Sequence, residues 1–120
     1  MPLLKTILNK IKNMEIERIE NENGTAIKFS DGSMLQYGTL NNNSTGSPTI
    51  DFPIDFINNN YNVQLTNRYS SGGGAVATQI VLTAHYAGTG ACLVYFRDLS
   101  GSAVTNTDVM VNWQAIGRWK

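Results

Sequence analysis

The most regular alternation of apolar and polar positions runs through residues 109–120. Val109, Val111, Trp113, Ala115, Gly117 and Trp119 fall on one side, with Met110, Asn112, Gln114, Ile116, Arg118 and Lys120 on the other. A period of two is that of a strand, whose successive side chains point to opposite faces. This run is expected to complete a sheet and to form a wall of the fold, not a trailing tail. A second alternation predicts the longest hairpin. Val76, Thr78, Ile80, Leu82, Ala84 and Tyr86 share one face, residues 87–90 turn, and Cys92, Val94 and Phe96 return on that same face. Its other face carries Gln79, Val81, Thr83 and His85 opposite Leu93, Tyr95 and Arg97, so that His85 should face Leu93, Thr83 face Tyr95, and Val81 face Arg97.

Shorter strands fill the middle of the chain. Ile27 and Phe29 alternate with Lys28, Asp31 and Gly32 supply a tight turn, and Leu35 and Tyr37 alternate with Gln36 on the return. Residues 49–56 read as a strand in which Pro53, having no N–H, argues for an edge or a bulge. Tyr61, Val63 and Leu65 alternate with Asn62, Gln64 and Thr66 in a strand running to about Tyr69. Residues 41–47, 70–74 and 99–108 read as loops, the glycines at 72–74 lacking the strand-to-helix setting and following Lys of a phosphate cradle. The expected class is all-β, an antiparallel sandwich of six or seven strands over residues 23–120. Such a body offers loops and outer sheet faces, with little room for a deep catalytic cleft.

Before this body the period changes. From Pro2 to about Glu20 helix formers dominate, and Leu4, Ile7, Ile11 and Met14 follow a 4-then-3 spacing. Residues 1–22 are therefore expected to hold a short α-helix, ended by the polar break at 21–24. Two heptads are too short for a coiled coil on their own. The stripe is completed by a longer partner, or it is an amphipathic helix folded onto its own sandwich. A membrane-surface helix fits less well, given the glutamates that follow.

Composition narrows the function. The formal net charge is zero with 15% charged residues, and four of nine acidic and four of nine basic residues lie before residue 23. The remainder is polar through Asn, Thr, Ser and Gly, a surface suited to hydrogen bonding and without the basic footprint of a nucleic-acid binder. One cysteine, Cys92, excludes an internal disulfide. The apolar positions near the start are broken by Lys5, Lys10 and Lys12, so neither a signal peptide nor a membrane span is expected.

The sequence holds no convincing catalytic set. His85 is the one histidine, no serine sits in a nucleophile elbow, and Cys92 falls on the inward face. Asp51 with Asp55, or Asp98 with Asp108, could flank a sugar or a hard cation, but turn and cap roles are the commoner use of such aspartates. No cofactor and no metal are expected. Binding is easier to justify: His85, Tyr95 and Arg97, with Gln79 and Thr83, put an imidazole, a phenol and a guanidinium among hydrogen-bonding side chains. Val81, Leu93 and Tyr95 make the same face more apolar than a solvated one, which favours contact with a neighbouring subunit. A ligand seated between two subunits would satisfy both.

Three short patterns together resemble the C-terminal knob domain of bacteriophage tail fibres, the group with an H-type-lectin-like sandwich. They are the run from Ile27 to Gly38, IKFSDGSMLQYG, then FPIDF at 52–56, then NWQAIG at 112–117. The similarity covers residues 24–120, with Tyr37 where the family typically has Trp. It implies a homotrimer at a fibre tip that recognises host glycans or proteins. Residues 1–22 would then engage other phage tail, baseplate or capsid proteins. Trp113, Gly38 and Gly117 read as structural within these motifs, and the loops with the His85 face as the binding determinants. A structural virion decoration or head fibre without receptor role is the second reading, and a glycan-processing enzyme the third.

Overall fold

The computed structural model describes residues 3–6, 14–69, 80–86 and 88–120. Eight strands appear among them: β1 (Glu15–Asn21), β2 (Gly24–Phe29), β3 (Ser33–Asn41), β4 (Thr49–Asp51), β5 (Asn62–Tyr69), β6 (Val81–Tyr86), β7 (Ala91–Arg97) and β8 (Val109–Arg118). They build an antiparallel sandwich from a five-stranded sheet, β1-β2-β3-β8-β5, and a three-stranded sheet, β4-β7-β6. The extra strand beyond the expected seven is β1, in a segment the sequence reads as helix.

Helical geometry is seen at residues 3–6, but Glu15–Asn21 is extended and pairs with β2. Glutamate and arginine are good helix formers, but intrinsic propensity amounts to a few tenths of a kcal/mol per residue and yields to a sheet edge that offers backbone partners. Met14 already belongs to this edge, its carbonyl accepting from the Ser30 N–H at 3.1 Å. The polar break at 21–24 is accordingly the β1–β2 turn. Ile7 and Ile11 of the apolar stripe lie outside the described residues, as do Gln79 and the loop at 70–74. Charges occupy the outer strand, where Lys28 Nζ meets Glu17 at 3.1 Å and Arg18 meets Glu15 at 3.1 Å and Glu20 at 3.6 Å. Such side chains protect an edge from pairing with other chains.

The alternation of β8 is observed: Val109, Val111, Trp113 and Ala115 are buried and Asn112, Gln114 and Ile116 exposed. The β6–β7 register is also the expected one, Val81 opposite Arg97, Thr83 opposite Tyr95 and His85 opposite Leu93. The faces of β3 are the reverse of the hydrophobicity-based reading. Gln36 is fully buried and Tyr37 is 38% exposed. Gln36 Nε2 donates to the Ile54 carbonyl at 2.9 Å and the Ile54 N–H donates to Gln36 Oε1 at 3.1 Å. The side-chain amide thus completes the backbone of the segment that follows β4, which leaves the sheet at Asp51, just before Phe52 and Pro53.

Between the sheets, Met34, Val111 and Trp113 meet Ile50, Val94 and Phe96, and the connection from 52 to 61 closes one end with aromatics. Phe52 makes edge contacts with Phe56 and Tyr61, both at 5.1 Å between centroids, and Phe56 stacks on Tyr61 at 4.7 Å. Gly117 gives them room, since a Cβ there would lie 2.7 Å from Phe56 Cδ1. Gly38 does the same for Trp113, whose Cζ2 would be 3.0 Å from an added Cβ.

Burial pushes the Cys92 thiol up to about 11 from 9.0 and the Tyr61 phenol up to about 12 from 10.0. Both groups favour the folded state while protonated, so their contribution is complete below the unfolded values and is lost as pH rises through the folded ones. Thermal unfolding followed by circular dichroism should show stability declining above about pH 9. Cys92→Ala combined with Tyr61→Phe should flatten this decline, and an unchanged slope would remove these groups as its cause.

Candidate functional site

The expected binding face is assembled on the outside of the three-stranded sheet. His85 and Tyr95 rings lie 4.1 Å apart between centroids, and the Arg97 guanidinium sits 4.5 Å from the Tyr95 ring centre. Thr83 is exposed beside them. Arg97 is already engaged, with Nη1 donating to the Gly46 carbonyl at 2.7 Å and the Phe96 carbonyl at 2.9 Å, and Nη2 donating to Ser47 Oγ at 3.1 Å. It fastens the 41–47 loop to β7, work that competes with gripping a ligand. Val81 is 45% exposed, and Leu93 and Tyr95 are half-buried.

The aspartates divide by role. Asp98 Oδ1 accepts from the Ser100 N–H, the Ser100 hydroxyl and the Ser102 N–H at 2.9, 2.6 and 3.0 Å, which holds its carboxyl below the ordinary range and closes a turn. Asp31 is held low in the same way by the hydroxyl and N–H of Ser33. Asp55 lies against Gly90, where an added Cβ would be 2.6 Å from its Oδ1. Among the described residues no cluster of three or more His, Cys, Asp or Glu side chains could hold a metal ion. Likewise, no helix described is long and apolar enough to cross a membrane.

A second site lies on the opposite wall and was not singled out from sequence. The outer face of the five-stranded sheet carries a groove of about 640 Å³. Cross-strand pairing lines up its floor in two rows: Tyr37 opposite Gln114, itself opposite Gln64, and Thr39 opposite Asn112, itself opposite Thr66. The tip of the β1–β2 hairpin, Asn21 to Gly24, supplies one wall, braced by Asn21 Nδ2 donating to the Pro53 carbonyl at 3.2 Å. Gln114 Nε2 donates to Gln64 Oε1 at 2.7 Å, leaving the Gln114 oxygen and the Gln64 NH₂ group open at the two ends of the pair. Arg18 Nη1 approaches the Tyr37 hydroxyl at 3.5 Å from the rim. The signal available in the sequence was the run of Asn, Gln and Thr at outward positions of three strands, but those residues converge only through strand order.

Comparison with known proteins supplies the remaining observations. The family profile described as tail fiber protein gp53-like, C-terminal, matches residues 28–118. No curated protein sequence matches the chain. Among solved structures, an N-truncated R2-type pyocin tail fiber superposes with a TM-score of 0.54 at 15% identity, over 88% of this chain and 39% of that one. The P. aeruginosa R1 pyocin fiber C-terminal fragment gives 0.58 at 18% identity, over 86% and 28%. An N-truncated R1-type pyocin tail fiber gives 0.57 at 17% identity, over 94% of each chain. The chain thus spans well under half of the first two fibre chains, and likeness at these identities concerns the fold.

Proposed function

Since the chain belongs to the gp53-like C-terminal family of tail fiber proteins, and so to a virion tail fibre, we propose that it is the receptor-recognising tip of that fibre. It works as a homotrimer and acts by binding a host surface glycan or protein, not by catalysis. Family membership over residues 28–118 is the observation that carries this reading. It favours a fibre address over a capsid decoration. The neutral, amide- and hydroxyl-rich outer surface agrees with it, because weak individual contacts become useful when copies engage together. Soluble protein should compete with the parent particle for adsorption to a susceptible host, and absence of competition at saturating protein would overturn the receptor role.

The His85 face is the proposed seam between subunits. Val81, Leu93 and Tyr95 give it apolar area, and the internal ties of Arg97 keep it rigid. Of residues 1–22, those ahead of β1 are the proposed link to other tail proteins, because Glu15–Asn21 are paired into the sheet. Val81→Arg should place a second guanidinium across the ladder from Arg97, a like-charge pair buried in the seam. Light scattering should then fall from three chain masses toward one while circular dichroism is unchanged. A wild-type monomer would end the trimer proposal, and a trimeric variant would move the seam elsewhere.

A further inference from the structure

We propose that the groove on the outer face of the five-stranded sheet is a saccharide site selective for uncharged sugar rings. This rests on the receptor-recognition reading and gives it a location and a ligand class. Three observations converge on the groove. Its volume, about 640 Å³, lies within the roughly 300–1,000 Å³ typical of small-ligand clefts. Its floor is a lattice of neutral donors and acceptors whose spacing is set by the sheet. Gln64 and Gln114 are tied to each other, so their open ends present a fixed acceptor and fixed donors. Asn112, Thr39 and Thr66 are exposed in the adjoining row and make no side-chain hydrogen bond with any described residue. Vicinal sugar hydroxyls both donate and accept, and a lattice of amides and hydroxyls meets both needs.

The third observation is Tyr37. It is the exposed aromatic among the mainly amide- and hydroxyl-bearing side chains that line the groove, next to the apolar Leu35 and Ile116 on the same sheet face. An exposed phenol ring in a polar groove supplies a flat apolar surface for the C–H face of a pyranose, with its hydroxyl steadied by Arg18 at 3.5 Å. Charge then sets the selectivity. Glu22 is the one charged residue lining the groove, and the hairpin behind it carries Glu15, Glu17 and Glu20 against Arg18 and Lys28. A carboxylate- or phosphate-bearing sugar would meet this acidic wall, whereas an uncharged one offers hydroxyls to the Glu22 oxygens.

The test is titration of ¹⁵N-labelled protein with the methyl glycosides of glucose, galactose, mannose, N-acetylglucosamine and N-acetylgalactosamine, with sialic acid as the anionic probe. At least one neutral sugar should shift the side-chain amide signals of Gln64, Asn112 and Gln114, with millimolar affinity, and leave the His85 signals unmoved. Tyr37→Ala and Gln114→Ala should each weaken that binding at least about tenfold with thermal stability near wild type, while Thr83→Ala on the opposite face changes nothing. Glu22→Gln should raise the affinity for sialic acid relative to the neutral sugar. Shifts confined to the His85 face, a preference for sialic acid in the wild type, or no response to any sugar would each overturn the groove as the site. Adsorption competition separates the two levels. A Tyr37→Ala, Gln114→Ala protein that still competes as well as wild type condemns the groove alone, whereas a wild type that never competes condemns the receptor reading.

Discussion

Trp113→Ala is expected to cost the domain about 3–5 kcal/mol, the usual loss when a large aromatic is truncated in a core. Trp113 is 3% exposed and stands in the middle of β8, between β3 and β5. Its ring meets Phe52 at 5.7 Å and packs on the space left by Gly38. Neither neighbour can close the gap. Gly38 has no side chain to move in, and Phe52 is held by its edge contacts with Phe56 and Tyr61. Thermal unfolding should drop by more than roughly 10 °C. A drop of only a few degrees would show that the two sheets collapse onto the cavity. Trp113→Phe should recover part of the loss, because the ring remains.

Gln36→Leu is the second large effect, and its cause is polar. Leucine fills a similar volume, so cavity formation contributes little. It leaves the Ile54 N–H and carbonyl without the two bonds that Gln36 now provides at 3.1 and 2.9 Å. Each orphaned buried group costs about 1–3 kcal/mol, so for the two together a loss of about 2–6 kcal/mol is expected. Gln36→Glu sharpens the test. A protonated Glu could accept from the Ile54 N–H and donate to its carbonyl, whereas the ionised form would face that carbonyl with a buried charge. Burial raises such a carboxyl above its unfolded value of about 4.3, so stability is greatest below that pH and is lost as pH rises through the folded value. Denaturant unfolding at pH 4 and pH 8 should reveal this slope, absent from the Leu variant. Equal stability at both pH values would mean that Ile54 finds other partners.

Gln36 also marks the limit of what pattern reading can recover. Where one face of a strand is apolar and the other polar, as in β8 and β6–β7, alternation located the faces and even the pairing of His85 with Leu93. In β3 the apolar residues Leu35 and Tyr37 point outward and Gln36 inward, because a connecting segment some eighteen positions away needs a peptide-like partner. Hydrophobicity has no means of registering that need. β1 was obscured for a related reason: the residues of an edge strand are selected for charge, and EIERIEN serves an exposed helix face as well as an edge. The shared outer face of Thr83, His85, Tyr95 and Arg97 was legible because two strands joined by a short turn carry them. The groove was not, since Tyr37, Gln64 and Gln114 become neighbours only after β8 inserts between β3 and β5.

That insertion has a consequence for biosynthesis. A nascent chain emerging from the ribosome presents β1, β2, β3 and β5 long before residue 109 is made. Until then β3 and β5 each lack their shared neighbour. The larger layer can close only when β8 has cleared the exit tunnel, which makes productive folding a late event and places two unpaired strand borders in the interval. Ribosome stalling or premature stop codons upstream of Val109 should therefore yield insoluble material, not a smaller folded domain.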